Sequence, residues 1–397
     1  MSEEDIHQEN YESSKYEDIE SFEDLEINEN IIRGIFSYGF EIPSPIQKKA
    51  ILPILDGKDV IAQAQSGTGK TATFCLGVLG LIEPSQNEIQ ALVLAHTREL
   101  ALQINMVFSQ IANYMDILFN LSIGGINVKD NIENLSKKPR KPHVVIGTPG
   151  RVLDMINKGA LNTKKLKIMI IDEADEMLSE GFVDQIYKIF RTMPSTIQVG
   201  LFSATMTEKF FDISNKFMRE PIKILVKNEQ LTLEGIKQYL INVEVNEYKF
   251  ETLCDLYSLL TINQSIIYCN NKKVVNHLTE KMREANFSIS FIHSDITNKE
   301  REDTMSAFRN GKTRVLISTD LLSRGIDVQQ ISVVINYDVP YDIQNYLHRI
   351  GRSGRFGRKG VAINFMTKYD TKKITDIEAY YNTHIEEMPE NIQSIFT

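Results

Sequence analysis

Three carboxylates, Asp172, Glu173 and Asp175, follow the apolar run from Ile168 to Ile171. The apolar run predicts a buried strand, and acids at its carboxyl end repel one another unless a cation lies among them. Asp172 is placed to hold Mg²⁺, partly through water, and Glu173 to orient and polarise an attacking water. We expect Asp175 to link this strand to a neighbouring strand. Taken alone, the cluster is equally typical of a solvated helix start, because acids favour helix N-termini.

A glycine-rich stretch earlier in the chain supplies matching chemistry. "AQSGTGKT" (64–71) follows a predicted strand and precedes a helical pattern, which is the context that a phosphate-binding loop requires. Backbone N–H groups would surround phosphate oxygens, while Lys70 reaches the β- and γ-phosphates and the Thr71 hydroxyl holds Mg²⁺. Ala64 stands where glycine is usual, and an ordinary glycine-rich turn is the alternative. The predicted nucleotide-binding residues here are Ala64, Gln65, Ser66, Gly67, Thr68, Gly69, Lys70 and Thr71.

The charge of the chain is unevenly distributed. The 397 residues carry a net charge of −9 from 44 basic and 53 acidic groups. Residues 1–30 hold twelve acids and one lysine, so the rest of the chain holds 43 basic and 41 acidic residues. We predict an acidic flexible tail over residues 1–20. The near-neutral remainder can bind phosphates through a local basic patch.

Composition also limits the class of protein. No apolar run approaches the roughly 18 residues that span a membrane, and the acidic start lacks the features of a signal peptide. Cys75, Cys254 and Cys269 lack metal-binding spacing and suit a reducing compartment. We expect a cytoplasmic protein, with the nucleus as the alternative and without a membrane partner.

Short β-rich runs alternate with longer helical patterns, which predicts parallel sheets covered by helices on both faces. A polar stretch at 227–235 is the predicted linker between two domains. In the first half the predicted strands are 59–65, 90–96, 120–125, 143–148, 167–173, 199–205 and 222–226. In the second half they are 236–244, 265–270, 288–294, 313–319, 332–338 and 361–366.

Seven short motifs, in order, resemble the DEAD-box family of ATP-dependent RNA helicases over roughly residues 20–390. They are "AQSGTGKT", "HTRELA" (96–101), "TPGR" (148–151), "DEAD" (172–175), "SAT" (203–205), "STDLLSRGIDV" (318–328) and "HRIGRSGR" (348–355). Within the family, the chain is most similar to the translation-initiation subgroup. His96, Tyr268, Ser294, Asn298 and Ser323 depart from the family pattern, but none is a phosphate, metal or finger residue.

The resemblance implies an α/β fold of two tandem RecA-like domains, each a mostly parallel sheet with helices on both faces. The expected boundaries are 21–226 for the ATP-binding domain, 227–235 for the linker and 236–397 for the second domain. It further implies an RNA-dependent ATPase that unwinds short RNA duplexes by ATP-driven closure of the two domains. ATP and Mg²⁺ are the expected cofactors.

Several nucleotide contacts come from this resemblance. Gln47 ends "GFEIPSPIQ", and a Gln amide can pair with N6 and N7 of adenine, which would select ATP. Phe22 matches the aromatic that stacks on the base, although it could instead anchor an N-terminal helix in the core. Asp327 resembles the residue that meets the ribose. Arg352 and Arg355 match arginine fingers on the γ-phosphate, and a plain basic loop is the alternative.

The remaining family positions concern coupling and RNA. Ser203 and Thr205 could bond Asp175 and relay closure, or simply cap a strand end, and His348 would bridge to the "DEAD"/"SAT" side. RNA contacts should go to phosphate and sugar without base readout. The expected RNA-binding residues are Arg98, Gly125, Thr148 and Arg151 in the first domain and Asn270, Thr319 and Arg324 in the second.

Three functions therefore compete. The leading hypothesis is a monomeric RNA helicase in translation initiation, with a scaffold protein bridging its two domains. The alternative is an ATP-gated RNA clamp that scaffolds a splicing-linked or other ribonucleoprotein complex. A phosphate-loop ATPase acting on DNA or protein is disfavoured by the "DEAD" and Gln47 motifs.

Overall fold

The computed structural model describes residues 16–64, 68–136, 140–178, 181–206, 208–225, 236–260, 262, 264–320, 331–351, 353 and 360–389. The chain divides into two compact units, Met1–Lys227 and Asn228–Thr397. The whole of the predicted linker, 227–235, lies outside the described residues. Within the described ranges each unit holds a seven-stranded sheet with only parallel pairings. The predicted fold class is confirmed.

The first sheet has the strand order β3-β4-β2-β5-β6-β1-β7. Its strands are β1 Val60–Gln63, β2 Ala91–Leu94, β3 Phe119–Ser122, β4 Val144–Gly147, β5 Ile168–Asp172, β6 Gln198–Ser203 and β7 Ile222–Leu225. The surrounding helices are α1 Glu29–Tyr38, α2 Pro45–Leu55, α3 Lys70–Leu81, α4 Arg98–Ile111, α5 Val128–Ser136, α6 Pro149–Asn157, α7 Ala174–Met177, α8 Val183–Phe190 and α9 Glu208–Ser214.

The second sheet has the order β10-β11-β9-β12-β13-β8-β14. Its strands are β8 Ile236–Glu244, β9 Ser265–Tyr268, β10 Ile289–Ile292, β11 Val315–Ser318, β12 Val333–Asn336, β13 Gly360–Thr367 and β14 Glu386–Glu387. Its helices are α10 Lys249–Leu259, α11 Lys272–Glu284, α12 Asn298–Arg309, α13 Ile343–Ile350 and α14 Thr371–Tyr381.

Strand β5 shows how the first core forms. All five of its residues are buried, and successive side chains point to opposite faces of the sheet. Ile168 and Ile170 belong to one apolar cluster, whereas Met169 and Ile171 belong to another. The unbroken apolar run thus fills both layers of helix packing and leaves Asp172 at the carboxyl end of the strand.

The predicted strands all appear, and most end one to three residues before the predicted limit. The residues beyond each strand belong to the loops at the carboxyl edge of the sheet, where ligands of parallel sheets bind. Strand β14 has two residues and no pattern that could have predicted it.

Residues 16–20 differ from the expected flexible tail. Ile19 is buried, and its N–H donates to the Lys48 carbonyl at 3.4 Å. Glu20 forms an ion pair with Lys48, and Asp18 lies 3.3 Å from the Lys49 ammonium. The tail boundary predicted at residue 20 is therefore too late, because this segment lies along α2. In the part of the chain that the structure describes, no helix combines the length and the apolar character that crossing a bilayer demands.

Candidate functional site

The phosphate loop connects β1 to α3. Ala64 is buried, and its N–H donates to the Ser203 carbonyl at 3.0 Å, which fixes the loop entrance against β6. Gly69 caps α3 with φ +99°, a left-handed conformation that favours glycine. The buried Lys70 ammonium donates to the Ala64 carbonyl across the loop. Thr68 precedes Gly69 in the loop and Thr71 is the second residue of α3, whereas Gln65, Ser66 and Gly67 lie outside the described residues.

Gln47 lies directly beside this loop. Its Oε1 accepts from the Ser44 N–H at 2.8 Å, and its Nε2 donates to the Gly69 carbonyl at 3.5 Å. A Cβ on Gly69 would lie 2.7 Å from that Nε2. The amide predicted to pair with adenine therefore already has intramolecular partners at both ends. Each end retains one further hydrogen-bonding site, because the carbonyl oxygen has two lone pairs and the NH2 group has two hydrogens.

Phe22 is fully buried, in a short 3₁₀ turn capped by Ser21. Its ring centroid lies 6.5 Å from that of Phe40, within the first apolar cluster. The ring therefore exposes no face on which a base could stack. Of the two interpretations of Phe22, the structure favours the core anchor, and a base contact would require the segment to move.

Asp172 and Glu173 are both buried where β5 ends. The Glu173 N–H donates to Asp172 Oδ1 at 3.0 Å. Burial and the neighbouring Glu173 carboxylate raise the pKa of Asp172 to about 7, although the Lys70 ammonium opposes the rise. Buried acids of this kind attract a cation. Glu173 itself has φ 49°, a left-handed conformation that is unusual for a side chain other than glycine or asparagine.

Asp175 connects β5 to β6 as predicted. Its Oδ2 accepts a hydrogen bond from the Thr205 hydroxyl. Ser203 has a different partner, because its hydroxyl donates to the Thr205 carbonyl at 2.6 Å and accepts from the Thr205 N–H at 3.2 Å. Thr205 thus makes the predicted bond to the acid, whereas Ser203 closes the turn at the strand end.

The loop after β3 carries the first predicted RNA contacts. Arg98 donates to the Gly124 carbonyl at 2.6 Å, and Arg151 donates to the Ile126 carbonyl at 2.8 Å. Gly125 lies between these two carbonyls with φ +86°. Two arginines from different helices therefore hold this loop from both sides.

Thr148 lies beside the same loop, since it precedes α6 and its N–H donates to the Ser122 carbonyl at 3.1 Å. The structure therefore brings Arg98, Gly125, Thr148 and Arg151 to the edge formed by β2, β3 and β4. These residue types offer cationic and backbone groups that suit a phosphate–sugar chain.

Arg349, which the sequence analysis did not assign, organises the corresponding edge of the second sheet. Its side chain is fully buried. The guanidinium donates to Asp320 at 2.5 and 2.9 Å, to Asn270 Oδ1 at 2.8 Å, to Asn336 Oδ1 at 3.3 Å and to the Asp338 carbonyl at 2.7 Å. A single side chain thus joins the ends of β9, β11 and β12.

The predicted RNA contact Asn270 belongs to this network, and its Nδ2 also donates to the Val339 carbonyl at 2.8 Å. Its amide is therefore committed inside the unit. A second buried cation, Lys249, lies 2.8 Å from Asp338 Oδ1 and 5.3 Å from the Tyr337 ring centroid. Thr319 follows β11 and is half-buried.

His348 is fully buried in α13, one residue before Arg349. The signal that could have predicted the burial of Arg349 lies in the apolar residues around it, because Tyr346, Leu347 and Ile350 are typical of a buried helix face. Arg324, Asp327, Arg352 and Arg355 lie outside the described residues.

Family models match both units. The model described as DEAD/DEAH box helicase matches residues 44–213, and the one described as Helicase conserved C-terminal domain matches residues 248–357. The chain is 55% identical to "Eukaryotic initiation factor 4A" of Caenorhabditis elegans over 95% of this chain and 93% of that protein. It is 53% identical to "ATP-dependent RNA helicase eIF4A" of Scheffersomyces stipitis over 99% and 97%.

Solved structures resemble the chain as well. Dbp5 of S. cerevisiae bound to RNA and ADP BeF3 has a TM-score of 0.86 at 35% identity, covering 93% of this chain and 95% of that one. Mss116p bound to ssRNA and AMP-PNP has a TM-score of 0.83 at 27% identity, covering 91% of this chain and 77% of that one.

Proposed function

This chain belongs to the DEAD-box family of ATP-dependent RNA helicases, and we propose that the carboxyl edge of its first sheet is the ATPase site. The observation that carries the proposal is the adjacency of a buried lysine and two buried carboxylates. Lys70 lies close enough to Asp172 to oppose the rise in its pKa. Strands β1, β6 and β5 are neighbours, so the phosphate loop and the acids occupy one edge.

The donor set fits Mg²⁺. Asp172 is a buried carboxylate whose pKa is raised by burial and by Glu173, so a divalent cation there would remove an electrostatic cost. We assign Asp172 and the Thr71 hydroxyl to the ion, partly through water. When bound with ATP, Mg²⁺ neutralises charge on the β- and γ-phosphates.

The polypeptide itself supplies three further functions. Lys70 contacts the terminal phosphates, and Glu173 orients and polarises the attacking water. The Glu173 backbone is left-handed, and its N–H donates to Asp172 Oδ1, so the backbone of the second acid is fixed to the first. Gln47 fixes the Gly69 turn, and we propose that its amide pairs with adenine through its remaining hydrogen and lone pair when ATP enters.

Coupling to the second unit is the next part of the proposal. Asp175 and Thr205 link the acid strand to β6, so a change at the phosphates is transmitted to the "SAT" turn. Arg352 and Arg355 would complete the site as arginine fingers, Asp327 would contact the ribose, and His348 would approach the "DEAD"/"SAT" side. ATP and RNA together would thereby close the two domains and bend one RNA strand.

RNA is proposed to bind through its backbone at Arg98, Gly125, Thr148 and Arg151 in the first unit and at Asn270, Thr319 and Arg324 in the second. For Asn270 the structure supports an indirect role, because Arg349 and the Val339 carbonyl occupy its amide. It would position the loop after β9 rather than hold a phosphate with its side chain.

ATP hydrolysis with and without single-stranded RNA tests the enzymatic proposal. RNA should raise the ATP turnover of the wild type, and Lys70→Ala should abolish ATP turnover. Lys158→Ala is the matched control, because Lys158 forms an exposed ion pair with Asp154 at the end of α6. Hydrolysis that persists in Lys70→Ala, or that RNA does not stimulate in the wild type, would overturn the assignment.

We further propose a cytoplasmic role in translation initiation for a monomer held by a scaffold protein. The identity with relatives named as initiation factors supports the translation-initiation part of this proposal. Co-purification from cells should recover cap-binding companions. Recovery of splicing companions instead, with ATP and RNA retained and no strand separation, would favour the RNA clamp.

A further inference from the structure

Two tyrosines project from neighbouring loops of the second unit. Strands β12 and β13 pair in parallel, with Asn336 opposite Asn364, so the loops that follow them leave the same edge side by side. Tyr341 in the first loop is 75% exposed, and Tyr369 in the second is 73% exposed. Single exposed apolar residues are common, but two aromatic rings on adjacent loops form a surface feature.

Lysines accompany both rings. The Lys373 ammonium lies 5.1 Å from the Tyr341 ring centroid, and the Lys368 ammonium lies 5.1 Å from the Tyr369 ring centroid. Lys372 is also exposed, at the start of α14. We call Tyr341, Lys368, Tyr369, Lys372 and Lys373 the tyrosine–lysine patch.

A buried acid fixes the geometry of this patch. Asp370 follows Tyr369 in the chain and also holds the lysine beside the Tyr341 ring, because its Oδ1 accepts from the Lys373 ammonium at 2.9 Å. Its Oδ2 accepts from the Thr367 hydroxyl at 2.6 Å, at the end of β13. The loop is therefore held in place, so a ligand would lose little free energy in ordering it.

The charge of the patch is positive although the whole chain is acidic. Residues 368–373 carry three lysines and one aspartate, and the exposed Asp342 beside Tyr341 brings the local net charge to +1 in a chain of net charge −9. Exposed rings interleaved with ammonium groups suit single-stranded nucleic acid, since bases stack on rings while phosphates pair with cations.

The position of the patch agrees with this chemistry. Asn270 follows β9 and Thr319 follows β11, and the order β11-β9-β12-β13 places these loops consecutively along one edge. From β9 to β13 is two strand spacings, or about 10 Å. A strand of RNA that contacts the loops after β11 and β9 can therefore reach the patch by continuing along the edge.

We propose that the tyrosine–lysine patch is an additional contact for single-stranded RNA, extending the RNA site beyond the residues assigned above. This inference rests on the proposed RNA-binding function. Bases stack on Tyr341 and Tyr369, and Lys368 and Lys372 pair with phosphates. The patch adds affinity only for RNA long enough to reach it.

Binding of fluorescent oligouridylates of about 6 and about 16 nucleotides to the full chain, with a non-hydrolysable ATP analogue, tests the proposal. The Tyr341→Ala/Tyr369→Ala variant should lose roughly fivefold or more in affinity for the long RNA and keep the wild-type affinity for the short RNA. Tyr341→Phe/Tyr369→Phe should bind both like the wild type, because it retains the rings. Tyr248→Ala removes another exposed tyrosine of the same unit, 54% exposed, and should change neither affinity.

The lysines give an independent measurement. Lys368→Gln/Lys372→Gln should reduce the salt dependence of long-RNA binding by up to about 1.4 in log–log slope, since each single-strand phosphate contact contributes about 0.7. Equal long-RNA affinity of the wild type and the double alanine variant would overturn the proposal, as would an unchanged salt slope.

A crosslinking experiment uses the wild-type chain, so a folding defect of a variant cannot affect its result. Wild-type chain irradiated with 4-thiouridine RNA should yield crosslinked peptides that contain Tyr341 or Tyr369, and their absence would overturn the proposal. Failure of the proposed function looks different. In that case RNA would not stimulate wild-type ATP hydrolysis, and the short RNA would not bind either.

Discussion

The carboxyl edges of the two sheets handle buried charge in opposite ways. At the first edge, Asp172 and Glu173 lie together, and the Lys70 ammonium and the Glu173 N–H only partly offset the raised pKa of Asp172. At the second edge, Arg349 and Lys249 lie among Asp320 and Asp338 with multiple hydrogen bonds. The two sheets are similar, but their edges differ. The acids of the first edge favour binding of a cation, whereas the charges of the second edge are compensated by side chains of the same unit.

This difference indicates separate duties. An excess of buried acid is costly without a ligand, so the first edge is suited to bind Mg²⁺ with a nucleotide. A compensated network gains little from a ligand and instead fixes the loops around it. We therefore expect substitutions at the first edge to change activity and ligand binding, and substitutions within the buried Arg349 network of the second edge to change folding stability.

The largest effect should follow Glu173→Gln. The amide cannot polarise the attacking water, so RNA-stimulated ATP turnover should fall about 10²–10⁴-fold. The fold should persist, because one charge of a repelling pair disappears. Steady-state ATP turnover measures the loss of activity, and a thermal melt measures whether the fold persists. A tenfold loss or less would remove Glu173 from the catalytic assignment.

Arg349→Lys should destabilise the second unit by about 3–5 kcal/mol, because an ammonium cannot satisfy Asp320 and the amides together. Arg140→Lys is the matched control, since Arg140 pairs with Asp116 at 2.7 Å on the surface. It should cost less than about 1 kcal/mol. Denaturant unfolding measures both, and equal effects would contradict the proposed role of the buried network.

Without divalent cations, the pH dependence of stability should differ between wild type and Asp172→Asn. The Asp172 pKa of about 7 in the folded state exceeds the ordinary 3.8. Its contribution to stability is therefore fully present below about pH 4 and lost as the pH rises through about 7, a change of up to about 4 kcal/mol. Asp172→Asn should lack this decline, and parallel profiles in EDTA would refute the raised pKa.

Thr205→Val should give the smallest effect. It removes the hydroxyl bonded to Asp175 at nearly constant volume, which leaves a partly buried acceptor and costs about 1–3 kcal/mol. If the link relays closure, strand separation should fall more than ATP hydrolysis. Ser203→Ala, which alters only the turn, is the comparison variant. A uniform loss of both activities would indicate simple destabilisation.

Much of this arrangement is readable from local pattern. Apolar runs flanked by glycine and acid predicted the strands, and the spacing of "AQSGTGKT" and "DEAD" predicted that Lys70 and Asp172 share an edge. The bond between Thr205 and Asp175 was expected from the family resemblance, with strand-end capping as the alternative, and the structure contains it.

The contacts that pattern did not predict join distant positions. Gln47 and Gly69 are 22 residues apart, and Arg349 and Asn270 are 79 apart. A sequence shows that Gln47 can pair with adenine, but not that its amide already has backbone partners. It likewise shows a basic motif around Arg349, but not that the Arg349 guanidinium pairs with Asp320 and Asn270.

The central claim is that the first edge is completed by a metal–nucleotide ligand and the second by its own side chains. Hydrogen exchange of the full chain, with and without Mg²⁺ and a non-hydrolysable ATP analogue and in the absence of RNA, tests it most directly. Amides of residues 172–178 should exchange markedly more slowly with the ligand, and those of 343–351 should be unchanged. Slowing confined to 343–351, or absent from 172–178, would contradict the account.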